Sequence, residues 1–472
     1  MAIASCDSGQ LRAPTSATRD AEQERPEEST DARGGESSTD KESDERAPEP
    51  PEFERVSDAV NDFGFRLHRE FDDDQNLVYS PYCIYEGLAL THLGAVGATA
   101  RESAELLGAG NFGHFHGEVH RLRQNLQRSG GERESDADEN PDSRPLWRHN
   151  KADSFRSRRM PGMKAVQPRS PTELRIVNDL WFDRGIDPYP AFIGEAERYY
   201  GATPMRVDFQ SNPRDAVKKI NEKVSDATEQ LIPRIIDGES LPQNTQLIQT
   251  TAVYFRAPWR HEFYEGATKE EPFHLADGTS VTVDMMNDLR TYRYALLDEL
   301  GAKALRLPYR SSGFDAVIVL PVDGDLQTVE DSLDGRAFQS IAEALDEPHL
   351  RRKYEVHVKL PKFELHRKYE LTDHLQQLGL ESTHSPQGAN LSGIVDAEVP
   401  LYIDANIHAA QITVNEKETE AAAGFGRVGG LGSTIVPERV EFHADRPFLF
   451  FVVERSTDTI LFTARVMDPT AM

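Results

Sequence analysis

The sequence predicts one α+β domain built on large antiparallel sheets with helices around them. Three observations point there. Helical periodicity is concentrated early, in VSDAVNDFGFRLHREF (56–71) and IYEGLALTHLGAVG (84–97). Beyond Glu173 the chain turns to strand-length runs rich in β-branched and aromatic residues: LRIVNDLWF, LIQTTAVYF, AVIVLP, YEVHVKLPKFEL, IHAAQITV and FLFFVV. No linker composition or internal repeat separates those runs, so they read as parts of one core.

Residues 1–52 contain no Phe, Tyr or Trp and carry 14 acidic and 6 basic residues. Such a segment buries too little apolar surface to offset its ordering entropy, and a disordered acidic tail is expected. It opens MAIASC, in which Ile3-Ala4-Ser5-Cys6 is similar to a lipoprotein processing box, but without the apolar segment that should precede one. Two readings stay open. Either the tail happens to contain a cysteine, or the true start lies upstream and a lipid on Cys6 tethers the protein to a membrane. The second expects an extracellular or cell-surface protein; the first leaves the cytoplasm as the alternative.

The globular unit is expected over 53–472. In 56–71, Val56, Ala59, Val60, Phe63, Leu67 and Phe71 fall on one helical face. NLVYSP (76–81) reads as a short strand stopped by Pro81, and 84–97 as a buried, nearly all-apolar helix. Residues 129–172 are low in complexity. They are acidic first (Glu132, Glu134, Asp136, Asp138, Glu139) and basic later (Arg144, Arg148, Lys151, Arg156, Arg158, Arg159), as a surface insertion would be.

Lys+Arg number 53 against 80 Asp+Glu, a net charge of −27, and only 13 of the 53 are lysine. Acid excess with scarce lysine keeps a surface hydrated and suits an organism living in concentrated salt. It argues against general nucleic-acid binding, which needs a basic face. No apolar run is long enough for a transmembrane helix. The two cysteines, Cys6 in the polar tail and Cys83 in an apolar segment, do not suggest a disulfide framework.

One stretch invites a nucleotide-binding reading. EKETEAAAGFGRVGGLGST (416–434) contains G-x-G-x-x-G at Gly424, Gly426 and Gly429. That motif needs a strand before it and a helix N-terminus after it. GLGSTIVP follows, ending at Pro437, so no helix can open there, and an exposed loop is expected. HFHGEVH (114–120) sets His116 and His120 one turn apart, but a zincin needs Glu directly after the first His; a solvated helix face is the plainer reading. No G-x-S-x-G elbow or Cys–His pairing proposes a hydrolase. No metal or cofactor is expected. Read with period two, Thr419, Ala421, Ala423 and Phe425 share one face, and Glu418, Glu420, Ala422 and Gly424 the other. That is a segment able to become a half-buried strand, although its glycines say loop, and EKETEAAA alone also suits a helix.

These residues carry a family. VNEKETEAAA (414–423) and FHADRPFLFFVVERSTDTILFTARVMDP (442–469) closely resemble the serpins. So, in order, do NLVYSPYCIYEGLALTHLGAVGATA (76–100), AVYFRAPWRHEF (252–263), KEEPFHLADG (269–278), LGAKALRLPY (300–309) and LYIDANIHAAQITVNE (401–416). The resemblance spans 53–472 apart from 129–172. It implies the serpin fold with an exposed reactive-centre loop, and an inhibitor of serine proteases rather than an enzyme. The target attacks the loop and forms an acyl-enzyme; the cut loop then inserts as a strand into the main sheet and distorts the trapped protease. A monomer and a covalent protease partner, subtilisin-like or chymotrypsin-like, are the expected assembly.

Carried over residue by residue, the hinge is Glu416, Lys417, Glu418, Thr419, Glu420, Ala421, Ala422 and Ala423, with Thr419 the first to insert. Counting fourteen residues from Thr419 puts the scissile bond at Gly432–Ser433, counting back from Phe442 allows Ser433–Thr434, and a protease pocket's need for a side chain favours the bond after Leu431, so the bond is expected within Leu431, Gly432 and Ser433. Trp259 would sit where the loop enters the sheet, and Ser80, Thr251 and His408 beneath the strands that must part. Three positions depart from the family pattern. Glu418 stands where glycine is usual, and restricts φ at the hinge. Cys83 and Thr251 stand where a second serine and an asparagine are usual. Glu418 keeps a non-inhibitory serpin, acting as a binding or protective module, as the alternative. RLRQNLQR (121–128) matches a helix that in some relatives binds sulfated polysaccharides, and the basic half of the insertion extends that prospect.

Overall fold

In the computed structural model, the described residues are 52–71, 75–130, 172–237, 241, 244–310, 313–323, 325–347, 354–416 and 438–471. Helix α1 (Val56–His68) and strand β1 (Leu77–Tyr79) lead into α2 (Pro81–His92), α3 (Ala98–Leu107) and α4 (Phe115–Gly130). Strand β2 (Glu173–Asp183) follows, then α5 (Pro190–Tyr200), β3 (Met205–Val207), α6 (Pro213–Ala227) and β4 (Leu247–Arg256). Five strands come next: β5 (Lys269–His274), β6 (Ser280–Thr291), β7 (Arg293–Leu297), β8 (Ala302–Pro308) and β9 (Phe314–Pro321). Helices α7 (Leu326–Asp331) and α8 (Gly335–Asp346) precede β10 (Tyr354–Pro361) and β11 (Phe363–Glu370). After α9 (Thr372–Gln377) come β12 (Ala405–Val414), β13 (Glu438–His443), β14 (Phe448–Glu454) and β15 (Thr459–Val466).

Local chemistry explains the element ends. Helix α1 buries Val56, Ala59, Val60, Phe63 and Leu67 on the expected stripe, and Asp58 accepts from the Arg55 backbone N–H at its start (3.2 Å). Helix α2 begins at Pro81, three residues earlier than the apolar run suggests. Ser80 caps it, its Oγ accepting from the Cys83 N–H at 3.1 Å, and Pro81 occupies a first-turn position where no N–H is missed. It stops at His92, ahead of Gly97, which sits at φ +66°. The run YEVHVKLPKFEL is two strands rather than one. It breaks at Lys362, so that β10 and β11 serve different sheets. Helix α4 runs on through Ser129 and Gly130, residues with the composition of the insertion. Ser129 is buried and its hydroxyl donates to Glu454 at 2.8 Å.

The strands form three sheets, ordered β1-β15-β14-β9-β8-β7, β13-β10-β6-β5 and β11-β12-β4-β2-β3. Pairing is antiparallel except for β2–β3, β10–β13 and β4–β12. The main core takes buried side chains from all three sheets and includes α1 and α2. A second cluster fills the outer face of the six-stranded sheet beneath α8, with Val317, Val319 and Phe451 against Phe338 and Ile341. A third lies beneath α6, with Ile248, Ala252 and Ala409 against Val217, Ile220 and Val224. The five-stranded sheet is therefore covered on both faces, by α2 on one and α6 on the other.

The fit of α2 onto β4 is closest at Gly87. A Cβ there would lie 2.7 Å from Thr251 Cγ2 and 3.1 Å from Gln249 Nε2. Thr251 is β-branched and cannot swing aside cheaply. Gly87→Ala is therefore expected to destabilise the fold by about 1–3 kcal/mol. Urea unfolding tests this: the midpoint should fall at unchanged slope.

Candidate functional site

The site forms where β4 and β12 part. These two central strands run parallel, in register from Ala405↔Ile248 to Gln411↔Tyr254. Past Gln411 the ladder to β4 ends, while β12 stays paired to β11 as far as Phe363↔Val414. A cleft of about 200 Å³ opens there, lined by Tyr254, Phe255, Trp259, Ile412, Val414 and Asn415 among others. Direction matters. A strand laid between β4 and β12 and running opposite to both would form two antiparallel ladders in place of one parallel one. Chain leaving the end of β12 and turning back would have that direction.

Beneath the paired part, facing α2, lies a buried polar cluster. His408 and Thr251 are register partners, and His408 Nδ1 lies 2.9 Å from Thr251 Oγ1. The Ser80 backbone N–H donates to His408 Nε2 at 3.0 Å. Nε2 is thus the acceptor, the ring proton belongs on Nδ1, and the imidazole donates to Thr251. Burial pushes the His408 pKa down to about 3 against a hydrogen bond to Thr251 that raises it. The ring is neutral in any ordinary medium. Cys83 Sγ lies 3.4 Å from Asn178 Oδ1 and 3.5 Å from the Ala252 carbonyl, and burial pushes its thiol well above the usual range. The Asn178 amide in turn donates to Glu86 Oε2 at 2.5 Å. Glu86, fully buried on α2, also accepts from Tyr82 OH and from Arg123 Nη1 of α4, both at 2.8 Å. A chain of polar contacts thus runs from α4 through α2 to β2 and comes within reach of the β4 backbone.

At the open end the two residues that follow β12 are held. Trp259 Nε1 donates to the Asn415 carbonyl at 2.9 Å, and the indole stacks on Tyr309 with centroids 4.5 Å apart and planes 9° from parallel. Glu416, 8% exposed, accepts from Thr268 Oγ1 at 2.7 Å and pairs with Lys362 Nζ at 3.3 Å. Burial works to raise the Glu416 pKa, but those partners win and hold it below the usual carboxylate range. The Asn415 Oδ1 is buried with no hydrogen-bond partner among the described residues.

Of the candidates named from sequence, Ser80, Thr251 and His408 meet in one cluster, and Trp259 and Glu416 stand at the cleft. Lys417, Glu418, Thr419, Glu420, Ala421, Ala422, Ala423, Leu431, Gly432 and Ser433 lie outside the described residues, as does the G-x-G-x-x-G stretch. Glu86, Arg123, Asn178 and Gln249 were not singled out from sequence. The usable signal was Glu86 itself, a carboxylate inside a helix otherwise apolar enough to be buried. His116 and His120 differ from a solvated face: they point at α5, with Nδ1 of one 2.5 Å from Tyr200 OH and Nδ1 of the other 2.9 Å from the Tyr199 carbonyl.

Two outcomes follow from this geometry. Below about pH 6.5 an unfolded chain protonates the His408 ring, while the folded chain resists until about pH 3. The unfolded state then binds more protons, so the contribution of His408 falls as pH drops through that window. His408→Gln should therefore lose less stability than the parent between pH 6.5 and 4.5 in urea titrations; parallel losses would refute this. Trp259→Phe removes the donor to Asn415 and should cost about 0.5–1.5 kcal/mol in the same assay. An unchanged midpoint would mean that the indole hydrogen bond adds nothing.

Comparison with known proteins agrees with this geometry. A family model described as serpin (serine protease inhibitor) matches residues 58–469. An uncharacterised serpin-like protein of Thermococcus kodakarensis is 32% identical over 416 residues, covering 88% of this chain and 86% of the relative. Leukocyte elastase inhibitor of Bos taurus is 31% identical over 424 residues, covering 88% of this chain and 100% of the relative. Among solved structures, maspin superposes with a TM-score of 0.71 at 21% identity, covering 88% of this chain and 98% of maspin. Uncleaved ovalbumin gives 0.69 at 22%, covering 88% and 100%. With parallel central strands parting above a buried histidine, and a family match across nearly all of the described fold, the chain belongs to the serpin family.

Proposed function

We propose that this protein is an inhibitory serpin that traps a serine protease as an acyl-enzyme when its cleaved loop inserts between β4 and β12. The observation that carries this is the parting of those parallel strands at the point where the chain leaves β12. Residues 417–437 join the end of β12 to the start of β13, in a different sheet, and cleavage within them would free one end. A strand of about a dozen residues, at roughly 0.5–1.5 kcal/mol per net hydrogen bond, makes on the order of 10 kcal/mol available. The small side chains at Ala421, Ala422 and Ala423 suit a sheet face already packed beneath α6. The relatives named leukocyte elastase inhibitor support an elastase-like or chymotrypsin-like target; a subtilisin-like enzyme is the other. The scissile bond is proposed among Leu431, Gly432 and Ser433. The acidic, lysine-poor composition supports a salt-adapted source; Cys6 supports a lipid-tethered, extracellular or cell-surface protein, with the cytoplasm as the alternative, and a monomer is proposed by analogy with the family.

Glu418 favours a second reading, a non-inhibitory serpin, because its side chain and restricted φ slow entry of the hinge. The two readings separate in one experiment. The 53.0 kDa chain is incubated with subtilisin, and separately with elastase, in salt-matched buffer and run on a denaturing gel. A covalent band at the summed mass is expected, and Glu418→Gly should raise the fraction trapped relative to the fraction merely cleaved. Cleavage with no covalent band in either variant would sink the inhibitory reading.

A further inference from the structure

The four-stranded sheet carries a cluster that the inhibitor reading does not use. On the face of the parallel β10–β13 ladder turned away from the core, His357 stands opposite Glu441, and His443 follows two residues along β13. His357 Nδ1 and His443 Nε2 are 3.2 Å apart. The rings meet edge to face, with centroids 4.9 Å apart and planes at 88°. One ligand atom from each of the two histidines and Glu441 lies within 4.8 Å of the others. Their neighbours are already paired. Lys359, opposite His443, turns its ammonium to Glu271, and Arg439 pairs with Glu355 at 2.9 Å. Lys303 Nζ donates to the Glu441 backbone carbonyl at 3.1 Å, while the Glu441 carboxylate faces His443 Nδ1 at 4.0 Å.

We infer that His357, His443 and Glu441 form a surface site for a divalent transition metal of the zinc class. Two imidazole nitrogens bound to one tetrahedral zinc at 2.0–2.1 Å stand about 3.3 Å apart, which is the spacing found. In the free protein one ring donates a proton to the other across that gap; metal binding releases that proton to solvent and turns both nitrogen lone pairs to a cation beside the line that joins them. The Glu441 side chain is 73% exposed and can rotate to supply the third ligand, leaving the fourth position to water. Two nitrogens and one carboxylate suit zinc, nickel or copper and disfavour magnesium and calcium, which take oxygen.

The position gives the site a mechanical consequence. β13 is the edge strand of its sheet, and β10 is its partner in the ladder. A metal bridging His357 to His443 and Glu441 adds a cross-link to that pairing, immediately after residues 417–437. Metal binding does not depend on the inhibitor reading, and either can fail alone.

The test uses the full-length protein, stripped with EDTA and titrated with zinc chloride at pH 7.5 by calorimetry. One saturable equivalent is expected, with slower amide exchange along β13. Losing a supporting contact to a metal ligand typically weakens binding 10–100-fold, and losing a ligand should cost at least that. His357→Gln and His443→Gln should therefore each weaken binding by at least about 10-fold, and the double variant should abolish that equivalent. Cobalt substitution gives an independent readout, because a tetrahedral site shows strong visible absorption that the double variant should lack. Absence of saturable binding below about 100 μM, or binding that persists in the correctly folded double variant, would overturn the inference.

Discussion

Two parallel strands in the middle of a sheet, paired along part of their length and open at one end, are the constraint on which the rest depends. Antiparallel neighbours could have been joined by a short turn and sealed. β4 and β12 come from distant parts of the chain and run the same way, so a strand of opposite direction can enter between them. What lies above and below must then permit entry. α6 packs against Ala252 and Ala409 on one face, with small side chains at the seam. On the other face Thr251 ties the seam, accepting from His408 at 2.9 Å and donating to the Ile407 carbonyl at 3.5 Å.

That closure is strong and local. A neutral histidine accepting from the Ser80 amide and donating to a threonine satisfies every polar atom of the ring, and burial keeps it neutral. Parting the strands breaks the bond to Thr251 together with the backbone ladder from Ala405 to Gln411, while the Glu86 contacts to Tyr82, Arg123 and Asn178 lie outside that seam. Where the family commonly has serine and asparagine, this chain has Cys83 and Thr251. The thiol fills its place as a weak donor to Asn178, Asn178 donates to Glu86, and Glu86 is held in turn by Arg123. A buried carboxylate with three donors is stable only while all three remain, which ties the position of α4 to that of β2.

The chain from β12 to β13 is anchored at both ends. Trp259, Thr268 and Lys362 hold Asn415 and Glu416 at the departure point. At the return point β13 pairs in parallel with β10, and its outward face carries the histidine cluster. These anchors sit in different sheets, so release at one end leaves the other in place.

The sequence by itself determined the fold class, the strand runs and the family, because those rest on hydrophobic period and on long collinear motifs. It also marked Ser80, Thr251, Trp259 and His408, although only through resemblance, since no local pattern makes residues 328 positions apart into neighbours. Helix ends were less legible. α2 starts at Pro81 because a serine cap and a proline cooperate there, a detail that an apolar run hides. The division of YEVHVKLPKFEL into strands of two sheets is set by tertiary pairing, and either half alone has the same strand-like pattern. Only the tertiary structure decided the Glu86–Arg123–Asn178 network and the meeting of His357 with His443. Each depends on side chains from separate elements converging within hydrogen-bond range. Distance in space between distant parts of a chain is fixed by packing, and packing leaves no periodic trace in any one segment.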